Sequence, residues 1–159
     1  MSDLPSVNSS IEKFKQEILE IKRSKQGKHS RPHKLVMLLA VIELADRGLL
    51  SENKIYFAEP LLNIFENIFL LVKRKDDLCQ PGPPFFHLRT SGFWFHKVRP
   101  QYKEAYSKLA TTGGGSKLIE QYIEYAYLRE DVYKMITHPA SRKDLRSFIS
   151  GLLNAKEEN

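Results

Sequence analysis

Pro32-His33-Lys34-Leu35-Val36-Met37-Leu38-Leu39-Ala40-Val41-Ile42-Glu43-Leu44 is the stretch whose reading decides the fold. Proline suits the first position of a helix, because its ring holds a helical φ and its missing N–H has no intrahelical partner there in any case. From Leu35 to Ile42 every side chain is apolar, and Gly48 supplies a stop. A helix without a polar stripe has no side to offer to water, so the spacing predicts a helix buried on most sides.

Upstream, Ile11, Phe14, Ile18 and Ile21 recur at helical spacing, with Ser9 or Ser10 as a cap and Glu12 at capping-box distance from Ser9. That predicts a first helix ending near Arg23, followed by the polar stretch Ser24–Arg31. Downstream, Pro60 opens a third helix carrying Leu61, Leu62, Ile64, Phe65, Ile68 and Phe69. Gln80-Pro81-Gly82-Pro83-Pro84 reads as a rigid loop. Phe85–Arg89 and Phe93–Lys97, joined by Thr90-Ser91-Gly92, read as a β-hairpin with Gly92 in the left-handed position. In that register Phe86, Leu88, Trp94 and His96 share the core face, while Phe85, His87, Arg89, Phe93, Phe95 and Lys97 share the other. Helices are expected again over 100–110, Ser116–Leu128, 130–137 and Pro139–Leu153. The fold class this predicts is mainly α (α+β): a single compact helical domain over residues 1–159, its core roughly 9–153, with one small antiparallel β-hairpin.

Lys and Arg total 25 against 19 Asp and Glu, for a formal charge of +6. Such a balance favours a polyanion or an anionic membrane surface. No apolar run approaches the about 20 residues that span a bilayer, and Met1–Ser10 lacks a signal-peptide pattern, so a cytoplasmic protein without a membrane partner is expected. The single cysteine, Cys79, has no second cysteine with which to form an intramolecular disulfide or a cysteine-rich zinc site.

The charge is concentrated. Between Ile21 and Ile42 stand six cations, Lys22, Arg23, Lys25, Lys28, Arg31 and Lys34, with His29 and His33 and no carboxylate. The run ends where a helix begins, and free N–H groups at a helix start add to the attraction for phosphate. As a bland alternative, the same run is a solvated loop. The mixture of aromatics and cations on the hairpin's second face suits nucleic acid, unless that face is also covered and Phe93 and Phe95 are core. Thr111-Thr112-Gly113-Gly114-Gly115 could bring backbone amides to a phosphate or serve as a plain connector; it lacks the Lys-Ser/Thr ending of a P-loop. Five histidines invite a metal or acid–base role, but His29 and His33 have no obvious third ligand and His87 and His96 would face opposite ways. No metal, no cofactor and no catalytic residue is assigned.

Arg31-Pro32-His33-Lys34 before Leu35–Leu44, then Pro83-Pro84-Phe85-Phe86-His87-Leu88 with Trp94 beyond, then Gly113-Gly114 and Glu130-Asp131-Val132-Tyr133, together resemble the sulfur-binding domain of McrA-type, phosphorothioate-dependent restriction endonucleases. The likeness runs over roughly residues 28 to 153. It implies a helical module that docks on phosphorothioated double-stranded DNA and places the sulfur in an apolar surface pocket, with Pro83, Pro84 and His87 at the places of its lining residues; Phe85, beside them, is the aromatic candidate for the same wall. By position it places Arg31 and His33 near the family's basic contacts; the residues themselves add Lys28, His29, Lys34 and Arg89, with Thr112, Gly113 and Gly114 of the glycine run, as candidate DNA contacts. The family commonly has Tyr-Pro where Pro83-Pro84 stands, and a small residue at the place of His87. Family enzymes carry a His-Asn-His nuclease domain after this module; the chain stops at Asn159, so cleavage is expected from a nuclease partner or from a longer enzyme. Three alternatives stay open: a binder of unmodified DNA or RNA, a small hydrolase or nuclease using His33, His87 or His96, and a protein-interaction domain.

Overall fold

The computed structural model describes residues 4–23, 32–74, 77–111 and 116–154, and within the first helix the side chains of 10–21. Among them are eight α-helices, α1 Leu4–Arg23, α2 His33–Asp46, α3 Leu61–Val72, α4 Gly82–His87, α5 Lys103–Ser107, α6 Lys117–Tyr122, α7 Glu130–Ile136 and α8 Pro139–Asn154, and two strands, β1 Trp94–Val98 and β2 Ile123–Leu128. The fold is mainly α with one small antiparallel sheet, as the sequence predicts.

Helix α2 is its axis. Leu35 to Ile42 and Leu44 are all buried, and α1, α3, α4 and α8 pack around it. Gly48, at φ 74°, ends the helix in a left-handed turn: its N–H donates to the Ala45 carbonyl at 3.0 Å, and the Leu49 N–H donates to the Leu44 carbonyl at 2.9 Å. This paired arrangement satisfies two carbonyls that the last helical turn leaves open. Pro32 and Pro60 each stand one residue before their helix, not inside it, a difference within the latitude of helix boundaries.

Three sequence expectations change. Helix α1 already runs from Leu4, so Ser9 and Ser10 lie inside it and do not cap it; Ile11, Phe14 and Ile18 are buried as their spacing predicts. The segment Phe85–Arg89 is not a strand. Pro83 and Pro84 fall in the first turn of α4, where fixed φ values fit and no N–H is needed, so the prolines start a helix that carries Phe85 to His87. Strand β1 instead pairs with β2, antiparallel, with Trp94 opposite Leu128, Phe95 opposite Tyr127, His96 opposite Ala126 and Lys97 opposite Tyr125. The third change follows from the second: the expected helix Ser116–Leu128 stops at Tyr122, and Ile123–Leu128, rich in β-branched and aromatic residues, extends as β2. Gly92 does take a positive φ, 92°, in the turn between α4 and β1.

The far side of β2 is met by the Ile55–Ala126 bridge, with N···O distances of 2.7 and 2.8 Å. The buried side chains form one continuous cluster in which Trp94, Phe14, Phe65, Phe69, Phe85, Phe86 and Phe93 are the largest. Ion-pair groups fasten its rim, among them two that join helices through arginine. Asp46 at the end of α2 accepts from Arg142 and Arg146 of α8, and Arg129 joins Glu17 of α1 to Asp131 of α7. Among the described residues no helix is long and apolar enough to cross a membrane.

Candidate nucleic-acid interface

The start of α2 and the outer face of α4 meet in one place, because α4 packs on α2. In α2's first turn His33 points inward: its Nε2 donates to the Leu78 carbonyl at 2.6 Å, and its ring lies 4.8 Å from that of Phe69. His33 thereby ties α2 to the segment leading into α4. Lys34 is half-buried, and burial pulls its ammonium below the usual lysine range. No carboxylate among the described residues pairs with it. His87 closes α4, where burial first, then the positive charges of Lys34 and Arg89, hold its imidazole below the usual histidine value. The two cations that lower the imidazole's affinity for protons are its close neighbours, so this corner concentrates positive potential.

Helical spacing puts Pro83 and His87 on one face of α4, and both are half-buried. Pro84 and Phe85 turn the other way and are buried. Phe85 has no exposed surface and sits among Phe57, Trp94 and His96, with ring centroids 5.0, 5.5 and 5.9 Å away. This corrects the expected pocket wall: of Pro83, Pro84, Phe85 and His87, only Pro83 and His87 keep appreciable surface, and Phe85 supports them from behind. The reason lies in α4 itself, since a helix sends neighbouring residues to different sides where a strand would have put Phe85 and His87 on one.

Arg89 is anchored and not free to sweep. Its guanidinium lies 4.1 Å from the Phe86 ring centroid and 5.2 Å from that of Tyr106, and it donates to the Leu109 carbonyl at 2.6 Å. His96 is similarly committed. A carbonyl can only accept, so His96 Nε2, 2.9 Å from the Phe85 oxygen, carries the hydrogen, and Nδ1 accepts from the Tyr106 hydroxyl at 2.6 Å. Burial, against the pull of the Phe85 bond and helped by Arg89, lowers its pKa to about 4. With both nitrogens engaged internally, His96 has no free position for proton transfer to a substrate. Among the described residues no three His, Cys, Asp or Glu side chains stand close enough to hold a metal ion.

Of the candidate contacts, Lys34, His87 and Arg89 come together with Pro83, and His33 is adjacent with its ring turned away. Lys28, His29, Arg31, Thr112, Gly113 and Gly114 lie outside the described residues. The anchoring role of Tyr106 was not foreseen; nothing in the spacing of residues 89, 96 and 106 signals that they converge. Nor was the tyrosine-bearing strand β2, although the alternation in Ile123-Glu124-Tyr125-Ala126-Tyr127-Leu128 carries that signal. No family model matches the chain, and neither does any curated protein. Fold and site together define a mainly helical domain with a basic, proline-edged surface corner.

Proposed function

We propose that this chain is a module that recognises phosphorothioate-modified double-stranded DNA, and that its part is recognition, with cleavage left to a nuclease partner. The observation that carries the reading is Lys34: a half-buried ammonium with no counter-charge among the described residues, at the N-terminal end of a fourteen-residue helix, beside His87 and Arg89. A cation so placed costs folding energy that an arriving anion relieves. A phosphate backbone supplies that anion and gains the helix-end N–H groups as well.

The apolar part of the corner supports the sulfur preference. A non-bridging sulfur leaves the phosphate's charge in place but is larger, more polarisable and a poorer hydrogen-bond acceptor than oxygen. Set against the ring carbons of Pro83 and the imidazole of His87, sulfur gives up little hydration, whereas oxygen loses water bonds without replacement at about 1–3 kcal/mol. That penalty corresponds to about ten- to a hundredfold discrimination. The test is a titration with matched duplexes bearing a normal phosphate, an Rp or an Sp phosphorothioate at one fixed salt concentration. Tighter binding of one stereoisomer is the expected result; equal affinity for all three would leave a binder of unmodified nucleic acid.

A further inference from the structure

Strands β1 and β2 turn Trp94, Ala126 and Leu128 to the core and leave their other face open to solvent. On that face stand Phe95 and Lys97 from β1, Tyr125 and Tyr127 from β2, and Tyr56 with Lys54 from the segment bridged to β2. The rings form a chain: Phe95 lies 5.5 Å from Tyr127, Tyr127 6.3 Å from Tyr125, and Tyr125 5.7 Å from Tyr56. Tyr56 is 50% exposed, Tyr127 37% and Phe95 36%, so ring surface that would ordinarily be buried is presented to water.

Cations border this run. Lys54 Nζ lies 5.3 Å from the Tyr125 ring centroid. Lys97 and Lys103 line, with Tyr106 and Tyr127, a cleft of about 400 Å³ at one end of the sheet. No carboxylate among the described residues pairs with Lys97 or Lys103; Glu52 approaches Lys54 only at 4.0 Å, and Glu124 is exposed beside the irregularity in the strand pairing.

Ring faces with flanking ammonium groups suit a ligand that has both flat π-surfaces and regularly placed negative charge. A duplex hides its base faces in the stack, and an aliphatic protein surface has no use for the lysines. We propose that this sheet face binds an unpaired DNA strand, its bases stacking on Phe95 and Tyr127 and its phosphates meeting Lys97 and Lys103. The surface shares no side chain with the Lys34, Pro83 and His87 corner, so strand binding here is tested apart from the duplex reading, on which only the choice of DNA over RNA rests.

The experiment is fluorescence anisotropy of a labelled thymidine oligonucleotide at low salt, with the whole chain and with Phe95→Ala, Tyr127→Ala, Tyr127→Phe and Lys103→Ala, each checked for an unchanged thermal midpoint. Each alanine at a stacking ring should weaken binding by about ten- to a hundredfold. Tyr127→Phe, which keeps the ring, should bind as the unaltered chain does, and Lys103→Ala should flatten the salt dependence. The proposal is overturned by absence of binding, by alanine variants that bind undiminished, by a Tyr127→Phe loss equal to that of Tyr127→Ala, or by tighter binding of the matching uridine ribo-oligonucleotide.

Discussion

The side-chain amide of Asn53 and the backbone of Leu128 exchange two hydrogen bonds, Nδ2 donating to the Leu128 carbonyl and the Leu128 N–H donating to Oδ1, both at 2.8 Å. Two residues further along, the backbone of Ile55 makes the matching pair with Ala126. A side chain thus stands in for a strand at the edge of β2, satisfying groups on a residue that is itself buried. Asn53→Ala orphans both and should cost about 1–3 kcal/mol. A urea midpoint within error of the unaltered chain would show that water replaces the amide without loss.

His96 predicts a pH dependence. Its folded pKa of about 4 lies below the ordinary 6.5, so between those values only the unfolded chain takes up the proton. Stability attached to His96 is therefore complete above pH 6.5 and is lost as pH falls toward 4, by roughly 3 kcal/mol at most. His96→Asn should be less stable at neutral pH and decline less steeply across that window in urea titrations. Parallel declines for both proteins would remove His96 as the cause.

Lys34 should trade stability against binding. Since burial disfavours its charge and nothing among the described residues neutralises it, Lys34→Met should raise the unfolding free energy, by less than about 1 kcal/mol because solvent still screens the half-exposed ammonium. The same change should weaken duplex binding and reduce the salt slope by about one unit. A destabilised variant would mean that the ammonium is better compensated than its surroundings suggest.

Arg129 clamps two helices. It meets Glu17 at 2.8 and 2.9 Å and Asp131 at 2.7 and 3.2 Å, and hydrogen bonding to Arg129 outweighs burial to hold the Asp131 carboxyl below its usual range. A carboxyl lowered in this way adds stability above the ordinary value of 3.8 and gives it up as pH drops through the folded value. Arg129→Gln should cost about 1–2 kcal/mol near neutrality, more than an isolated surface pair contributes, and the deficit should shrink in strong acid. Thermal midpoints at pH 7 and below pH 3.8 check both parts.

What could be read in advance followed how local its cause was. The unbroken apolar run from Leu35 to Ile42 announces a central helix because no other placement keeps it from water. The partner of β1 was hidden, since β2 lies beyond two intervening helices and spacing says nothing about such distant pairing. The alternation in Phe85-Phe86-His87-Leu88 imitates a strand, and only the prolines before it, read as helix starters instead of loop residues, would have redirected it. The same misreading put Phe85 on the surface. Lys34 was legible as a charge; that it is half-buried, with no partner among the described residues, depends on how α4 settles on α2, which one segment alone does not disclose.

The Phe85 carbonyl receives two donors, the Trp94 indole at 2.9 Å and the His96 ring at 2.9 Å. Because of that double rivet, the short helix bearing Pro83 and His87 cannot slide over the strand beneath it without uncovering three aromatic or imidazole groups at once. On the reading proposed above, a phosphorothioated duplex would meet a surface whose shape was set when the chain folded. Discrimination by a fraction of an ångström, as between oxygen and sulfur, needs a mould that does not yield.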